Sequence, residues 1–232
     1  MPDSNLDDAF AEYNAIVWKT YDTLSALAAF ESFWKETERL VADAADVSEK
    51  TETFELGSGD PATDYFERRR IGRHLHDEIV TPTFRYAAVI TLFAVVEREL
   101  KRFADTLAKE EKHPLGYRDL KGGLFEQLSR YTEVYRGFRL SDLKGYHDVR
   151  DLQKIRNCLV HAYGEPAMMS QSDKAYLLKM NSDIRGIEAI DGMPLGIGQP
   201  FIAASLAAAR TLFHDLFARV GWTVNDRWKQ TP

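Results

Sequence analysis

The chain has 232 residues, 44% of them hydrophobic and 28% charged, with 36 acidic against 30 basic side chains and a formal net charge of −6. That length and composition suit one globular domain, at most two, with a core that needs no staples. The acidic balance excludes general coating of nucleic acid, although a small locally basic RNA site is still allowed. Cys158 is the single cysteine, so an intramolecular disulfide is excluded and a reducing cytoplasm is expected. The opening carries Asp3, Asp7 and Asp8 rather than basic residues, and no uninterrupted apolar run reads as long enough to span a bilayer. The expectation is therefore a cytoplasmic protein with no membrane partner. No cysteine–histidine spacing suggests zinc, and neither a metal nor a cofactor is expected.

From Leu6 to about Ala45 the residues Ala9, Tyr13, Ile16, Val17, Leu24, Leu27, Trp34 and Leu40 approximate helical spacing, with no proline or glycine among them. This predicts a long amphipathic helix or a broken pair, a helical extension over about residues 5–46. Phe30, Phe33 and Trp34 serve either internal packing or a dimer contact. The polar stretch over about residues 48–60 contains Gly57-Ser58-Gly59 and reads as a surface loop. Asp60-Pro61 then resembles an N-cap followed by proline at the first helical position. The helix it opens carries Arg68, Arg69, Arg70, Arg73, His74 and His76. These residues form either a solvated face balanced by Glu67, Asp77 and Glu78, or a patch for RNA phosphates.

Thr81-Pro82 repeats the cap-and-proline signature and predicts a strongly hydrophobic helix to about Lys109. Tyr86, Ile90, Phe93, Leu100, Ala104 and Leu107 form its stripe, and Glu97 falls on the same stripe. A carboxylate there has to be paired or lose hydration at a cost. Glu97 is expected either to reach Arg156 or a nearby backbone amide, supporting a site, or to rotate out to water. His113-Pro114-Leu115-Gly116 is a turn, and about Leu120 to Tyr135 predicts another helix, weakened at its start by Gly122-Gly123. Tyr131, Tyr135, Phe138 and Tyr146 are offered either to unpaired bases or to packing.

The stretch from Asp148 to Pro166 is the one the chain turns on. Ser141 is read as its helix N-cap, with Asp142 at the positive end of the dipole, while Gly164 ends the helix and Pro166 forbids resumption. Val149, Leu152, Ile155, Leu159 and Ala162 recur every three or four residues as an apolar stripe. At about 100° per residue, Asn157 and His161 share a face roughly opposite that stripe, and Arg156 lies nearer its edge. An imidazole can shuttle a proton near neutral pH. A guanidinium can hold a phosphate and stabilise charge building on its oxygens. These are the requirements for metal-free RNA cleavage by the ribose 2′-hydroxyl. A second pair at equal separation, Arg69 and His74, has arginine after its arginine and a glycine inside it.

Arginine, a polar residue, three more residues and histidine, late in a helix of an all-helical chain, resembles the R-x4-H motif of the HEPN superfamily. Many of its members are metal-independent endoribonucleases of toxin–antitoxin, phage-defence and RNA-processing systems. The resemblance implies a homodimer whose two motifs face each other across one composite cleft. It implies that Arg156 contacts the scissile phosphate, that His161 transfers protons, and that Asn157 is the polar residue following the arginine. It also implies RNA as substrate and an antitoxin or regulatory protein as partner.

Beyond the motif, Ala175 to Met180 and Ile187 to Leu195 read as short strand-like runs, and Asp191-Gly192 is a hairpin signal with Pro194 at an edge. Pro200 opens a last helix to about Val220, with Ile202, Leu206, Leu212, Phe213, Leu216 and Phe217 on its buried side and Gly221 as its stop. The fold expected is mainly α, a single HEPN-like helical bundle over residues 1–232 with a small β-hairpin before its C-terminal helix. Three function classes follow: a metal-independent endoribonuclease; a catalytically silent helical module of the same fold that binds a protein or nucleotide; or a structural bundle in which Arg156 and His161 are a surface pair or helix C-cap.

Overall fold

The computed structural model describes residues 4–51, 63, 70–183, 186–222 and 224, with side chains over 19–44, 63, 70–180, 186–222 and 224. The described chain is mainly helical, with one small antiparallel hairpin before its C-terminal helix, as the sequence predicts. The helices are α1 (Ser4–Thr51), α2 (Thr81–Glu110), α3 (Leu124–Arg136), α4 (Tyr146–His161), α5 (Gln171–Asp183) and α6 (Gln199–Arg219). The strands β1 (Ile187–Glu188) and β2 (Gly196–Ile197) pair with Ile187 opposite Ile197 and Glu188 opposite Gly196.

The chain divides into two compact units. The first comprises residues 1–29, 92–154 and 203–232; the second comprises 30–91 and 155–202. In the first, Leu92, Val96, Leu100, Phe103 and Leu107 of α2 are buried, as are Phe125, Leu128 and Tyr131 of α3 and Leu212, Phe213, Leu216 and Phe217 of α6. Trp222 docks behind α6, its ring 5.7 Å from Phe217 and 5.3 Å from Phe103. Trp228 lies outside the described residues. In the second unit Phe30, Trp34, Val41, Val89, Ile155, Cys158 and Ala162 form the core with Leu195, Ile197 and Phe201.

α1 is one continuous helix rather than a broken pair, and it runs to Thr51, into the stretch read as loop. Phe30 and Trp34 pack internally, while Phe33 is exposed. Leu40, expected on the buried side, faces solvent and Val41 replaces it, seven residues from Trp34 and so back on the same face. The loop beyond Thr51 and the Asp60-Pro61 cap lie outside the described residues, as do Arg68 and Arg69.

Thr81 does not cap a new helix. One helical run spans Arg70–Glu110, and Thr81 itself is helical, with φ −58° and ψ −49°. Pro82 has no N–H, and in a regular helix its ring would crowd the carbonyl one turn back. The run widens into a π turn at His76–Val80 just ahead of it, with the Thr81 N–H donating to the His76 carbonyl. The Thr83 hydroxyl donates to the Ile79 carbonyl at 2.6 Å. His76 is anchored as well, its Nε2 donating to the Val41 carbonyl at 2.7 Å.

By length and composition, Arg70–Glu110 and Gln199–Arg219 are apolar enough to cross a membrane, against the expectation that no run is. Interior helices pass the same test, and both of these supply the buried residues named above.

The run 175–180 is helical, not strand. Ser170 caps it: its Oγ accepts from the Asp173 N–H at 3.2 Å and donates to the Asp173 carboxylate at 2.7 Å. Leu177 and Met180 are then buried at helical spacing. The strands are shorter than the run 187–195, and Pro194 sits in the turn between them rather than on a strand.

The aromatic residues near the motif are packing residues. Tyr131 and Phe138 are buried, and the Tyr146 ring lies 6.0 Å from Phe125. Tyr135 stacks on His113 with ring centroids 3.8 Å apart. His113 also meets the Tyr131 hydroxyl at 2.7 Å through Nδ1 and Glu111 at 2.8 Å through Nε2. Burial holds the His113 imidazole below its ordinary 6.5 despite the carboxylate, and lifts Tyr131 to about 12. The unfolded ring takes its proton near pH 6.5 and the folded ring only at lower pH. Stability is therefore full above that value and declines as pH falls through it. A thermal melt series from pH 7 to pH 5 is expected to show a larger fall for the wild type than for His113→Gln, which cannot titrate. Equal falls would remove His113 as the cause.

Candidate functional site

The motif helix starts five residues later than Ser141. Leu140–Asp142 forms a 3₁₀ turn, closed by the Asp142 carboxylate accepting from the Arg139 N–H at 2.9 Å. Gly145, with φ +77°, breaks the path, and its carbonyl accepts the first helical bond from the Val149 N–H at 3.1 Å. A side chain there would run into the Ala208 carbonyl oxygen, so the close approach of α6 excludes every residue but glycine. Asp148, rather than Asp142, occupies the first turn.

Along α4 the stripe Val149, Leu152, Ile155, Leu159 and Ala162 is buried throughout, as the spacing predicts. Cys158 is buried with it. Burial pushes this thiol up to about 11, so it is a neutral core residue and not a nucleophile. The native protein should resist a thiol reagent such as DTNB at pH 8 and react once unfolded in guanidinium. Rapid labelling of the native state would contradict this.

The opposite side carries the polar residues. Arg156 and Asn157 are half-buried, and the Arg156 Nη1 donates to the Asn157 Oδ1 at 3.1 Å. The amide thus orients the guanidinium. His161 is exposed on the last residue of the helix, and among the described residues its ring makes no hydrogen bond. Val160 beside it is also exposed. The helix stops by a reversal in which the Gly164 N–H donates to the Cys158 carbonyl at 3.1 Å. Both Tyr163 (φ +53°) and Gly164 (φ +82°) are left-handed. Gly164 lies against the Tyr86 ring, 3.0 Å from where a Cβ would stand, and its carbonyl accepts from the Leu195 N–H at 2.8 Å. The Tyr86 hydroxyl donates to the Leu195 carbonyl at 2.5 Å. The end of the helix that bears His161 is thereby fixed to α2 and to the hairpin turn.

Glu97 is half-exposed and gives its carboxylate to Lys101 one turn on, at 2.6 Å, rather than to Arg156. The buried carboxylate of α2 is Glu99, two positions away. Leu92, Val96, Glu99 and Phe103 form the inward row, and Glu99 is accommodated by the Thr23 hydroxyl at 2.8 Å and by Arg98 and Arg102 at 2.8 and 3.0 Å. The sequence carries that row as plainly as the one through Glu97. Of the arginine patch, Arg70 and Arg73 are described and exposed, on the helical residues ahead of the π turn, as is His74. Among the described residues no group of three or more histidine, cysteine, aspartate or glutamate side chains is placed to hold a metal ion.

Chemically, α4 offers one oriented cation and one exposed base on a rigid support. The same helix also carries His147 in its first turn, at the end away from His161, with Arg150 and Lys154 between them. Comparison with family models, with curated proteins and with solved structures found no match to this chain.

Proposed function

We propose that the protein is a homodimeric, metal-independent endoribonuclease of the HEPN type, cytoplasmic, acting as a toxin or phage-defence effector that an antitoxin or regulatory partner restrains. The observation that carries this reading is the polar trio on α4: Arg156 held by Asn157, both half-buried, and His161 exposed one turn further along. Their polarity opposite a fully buried stripe suits a face that meets its symmetry mate.

In the reaction, the ribose 2′-oxygen forms a bond to the adjacent phosphorus as its proton passes to the imidazole of one His161. The bond to the 5′-oxygen breaks, and that oxygen takes a proton from the other copy's imidazolium. The products are a 2′,3′-cyclic phosphate and a 5′-hydroxyl. Arg156 donates to the non-bridging oxygens, where negative charge builds. Arg70 and Arg73, with Arg68 and Arg69 from outside the described residues, would guide the RNA backbone.

The test is cleavage of a labelled RNA in excess EDTA, with the ends of the products identified. Cyclic phosphate ends formed at an undiminished rate are expected. A requirement for magnesium, or 5′-phosphate products, would overturn the mechanism.

The alternative, a catalytically silent helical module that binds a protein or nucleotide, is favoured by one observation: His161 ends its helix, where a cationic imidazole is stabilising without any catalytic role. A well-folded dimer that leaves RNA intact would select it.

A further inference from the structure

The second unit contains a cleft of about 740 Å³ that the RNA-cleaving reading leaves unused. Its volume lies within the range of ligand sites. One wall is the π turn, another is the hairpin and its turn, and Tyr163 stands at the rim just beyond α4.

Three observations define what fits there. Ile79, Ile190, Met193 and Tyr163 line the cleft with 55%, 44%, 54% and 77% of their surfaces exposed, so its apolar side chains are displayed rather than packed. Tyr163 holds a left-handed backbone, a conformation costly for a bulky side chain, and it directs an aromatic ring to this rim.

The charge is one-sided. Glu78 and Glu188 are exposed, and among the described residues neither carboxylate has an ion-pair or hydrogen-bond partner. Asp77 adds a third, touching His76. The basic lining residue, Arg85, is committed to Glu38 through Nε and Nη2 at 3.0 and 3.3 Å. A phosphate is repelled from such a surface and a cation is drawn to it.

Finally, Gly186, Gly196 and Gly198 contribute no side chain to the hairpin wall, where Pro200 lies against Gly186 and Gly198 and the Glu188 side chain against Gly196, and the Gly198 N–H donates to the Gly186 carbonyl at 2.7 Å.

We propose that this cleft docks an extended peptide segment of a partner protein, one in which a lysine or arginine is flanked by apolar side chains. The apolar residues cover Ile79, Ile190 and Met193. The cation meets Glu78 and Glu188, and the peptide lies between the π turn and the hairpin. This binding is independent of the ribonuclease reading and survives its failure.

A library of random short peptides displayed on phage, selected against the purified full chain, tests it. Recovered sequences are expected to combine basic with apolar residues. A synthetic peptide of the commonest recovered sequence should shift the amide resonances of Gly186, Gly196 and Gly198. It should bind the Glu78→Lys/Glu188→Lys double variant at least about tenfold more weakly, since two exposed attractions become repulsions. Both sites are at the surface, so the variant should keep its circular dichroism spectrum and melting temperature. Recovery of no consensus, recovery of acidic sequences, or unchanged affinity in a folded double variant would overturn the proposal. Saturation of the same resonances by hexylamine more tightly than by the peptide would also overturn it, assigning the cleft to a small amine.

Discussion

His161→Ala is expected to lower RNA cleavage by about 10²–10⁴-fold, the usual worth of a positioned proton-transfer group. Arg156→Ala should lose about 10²–10³-fold through the uncompensated charge on the phosphate oxygens. Because the two motifs act in one cleft, each substitution strikes both strands of the proton relay, and the double variant should be little worse than either single one. Neither change should disturb the fold. His161 is exposed and unbonded among the described residues, and Arg156 is half-buried with a donor to Asn157. A surface change such as that at His161 costs within about 0.5 kcal/mol, and loss of the Arg156 hydrogen bond about 1 kcal/mol. His74→Ala is the matched control, an exposed histidine at the same separation from an arginine in sequence. Growth arrest on expression that disappears in His161→Ala and persists in His74→Ala is the expected result. Equal cleavage by the wild type and His161→Ala, or a loss confined to His74→Ala, would place the chemistry elsewhere.

The second large effect concerns stability. Gly145→Ala is expected to destabilise the chain by about 3 kcal/mol. About 1–2 kcal/mol comes from a left-handed residue bearing a Cβ, and a similar amount from the collision with α6. The collision is with backbone: the Ala208 carbonyl and the Leu212 N, the latter 3.2 Å from the added carbon, which cannot swing aside as a flexible side chain does. For a chain of this size the melting temperature should fall by roughly 10 °C. Gly137→Ala separates the two contributions. That glycine ends α3 with φ +69°, and an added Cβ would meet nothing within 4 Å. Only the conformational cost of about 1 kcal/mol applies there. Gly164→Ala should fall between them, because its obstacle is the Tyr86 ring rather than backbone. Thermal melts of the three variants check the order. Gly145→Ala no worse than Gly137→Ala would mean that α6 moves away freely.

Much of the architecture is legible in the residues alone, for reasons of period and punctuation. The buried side of α6 and the stripe of α4 follow from apolar spacing, and Gly164 and Gly221 mark where those helices give way to left-handed backbone. The boundaries that sequence reasoning misplaced are those that depend on a distant contact. Ser141 has the chemistry of a cap, yet the chain turns at Gly145 because α6 passes there. Thr81-Pro82 has the signature of a helix start, yet a π turn absorbs the proline inside a longer run. The helix over 171–183 was readable: Ser170 followed three residues later by Asp173 is a capping signature, hidden by the apolar run behind it. The spacing leaves Glu97 open between Arg156, a backbone amide and water; it pairs with Lys101 near the surface, and the carboxylate that α2 buries is Glu99. The spacing places Asn157 and His161 on one face and Arg156 nearer the edge of the apolar stripe; Arg156 and Asn157 are half-buried and bonded to each other, and His161 is exposed. The cleft beside Tyr163 could not be read, since it joins the π turn to a hairpin over 100 residues further along the chain.

The central claim is that two copies bring their α4 helices together to make one site. Cys158 is buried, so a single spin label can be carried by Val160→Cys, exposed and adjacent to His161. Pulsed electron–electron distance measurement on the labelled, cleavage-competent protein should give one narrow, short separation between the two labels, persisting as the protein is diluted toward micromolar concentration. No dipolar coupling, or a broad and long separation, would mean that the two motifs never meet.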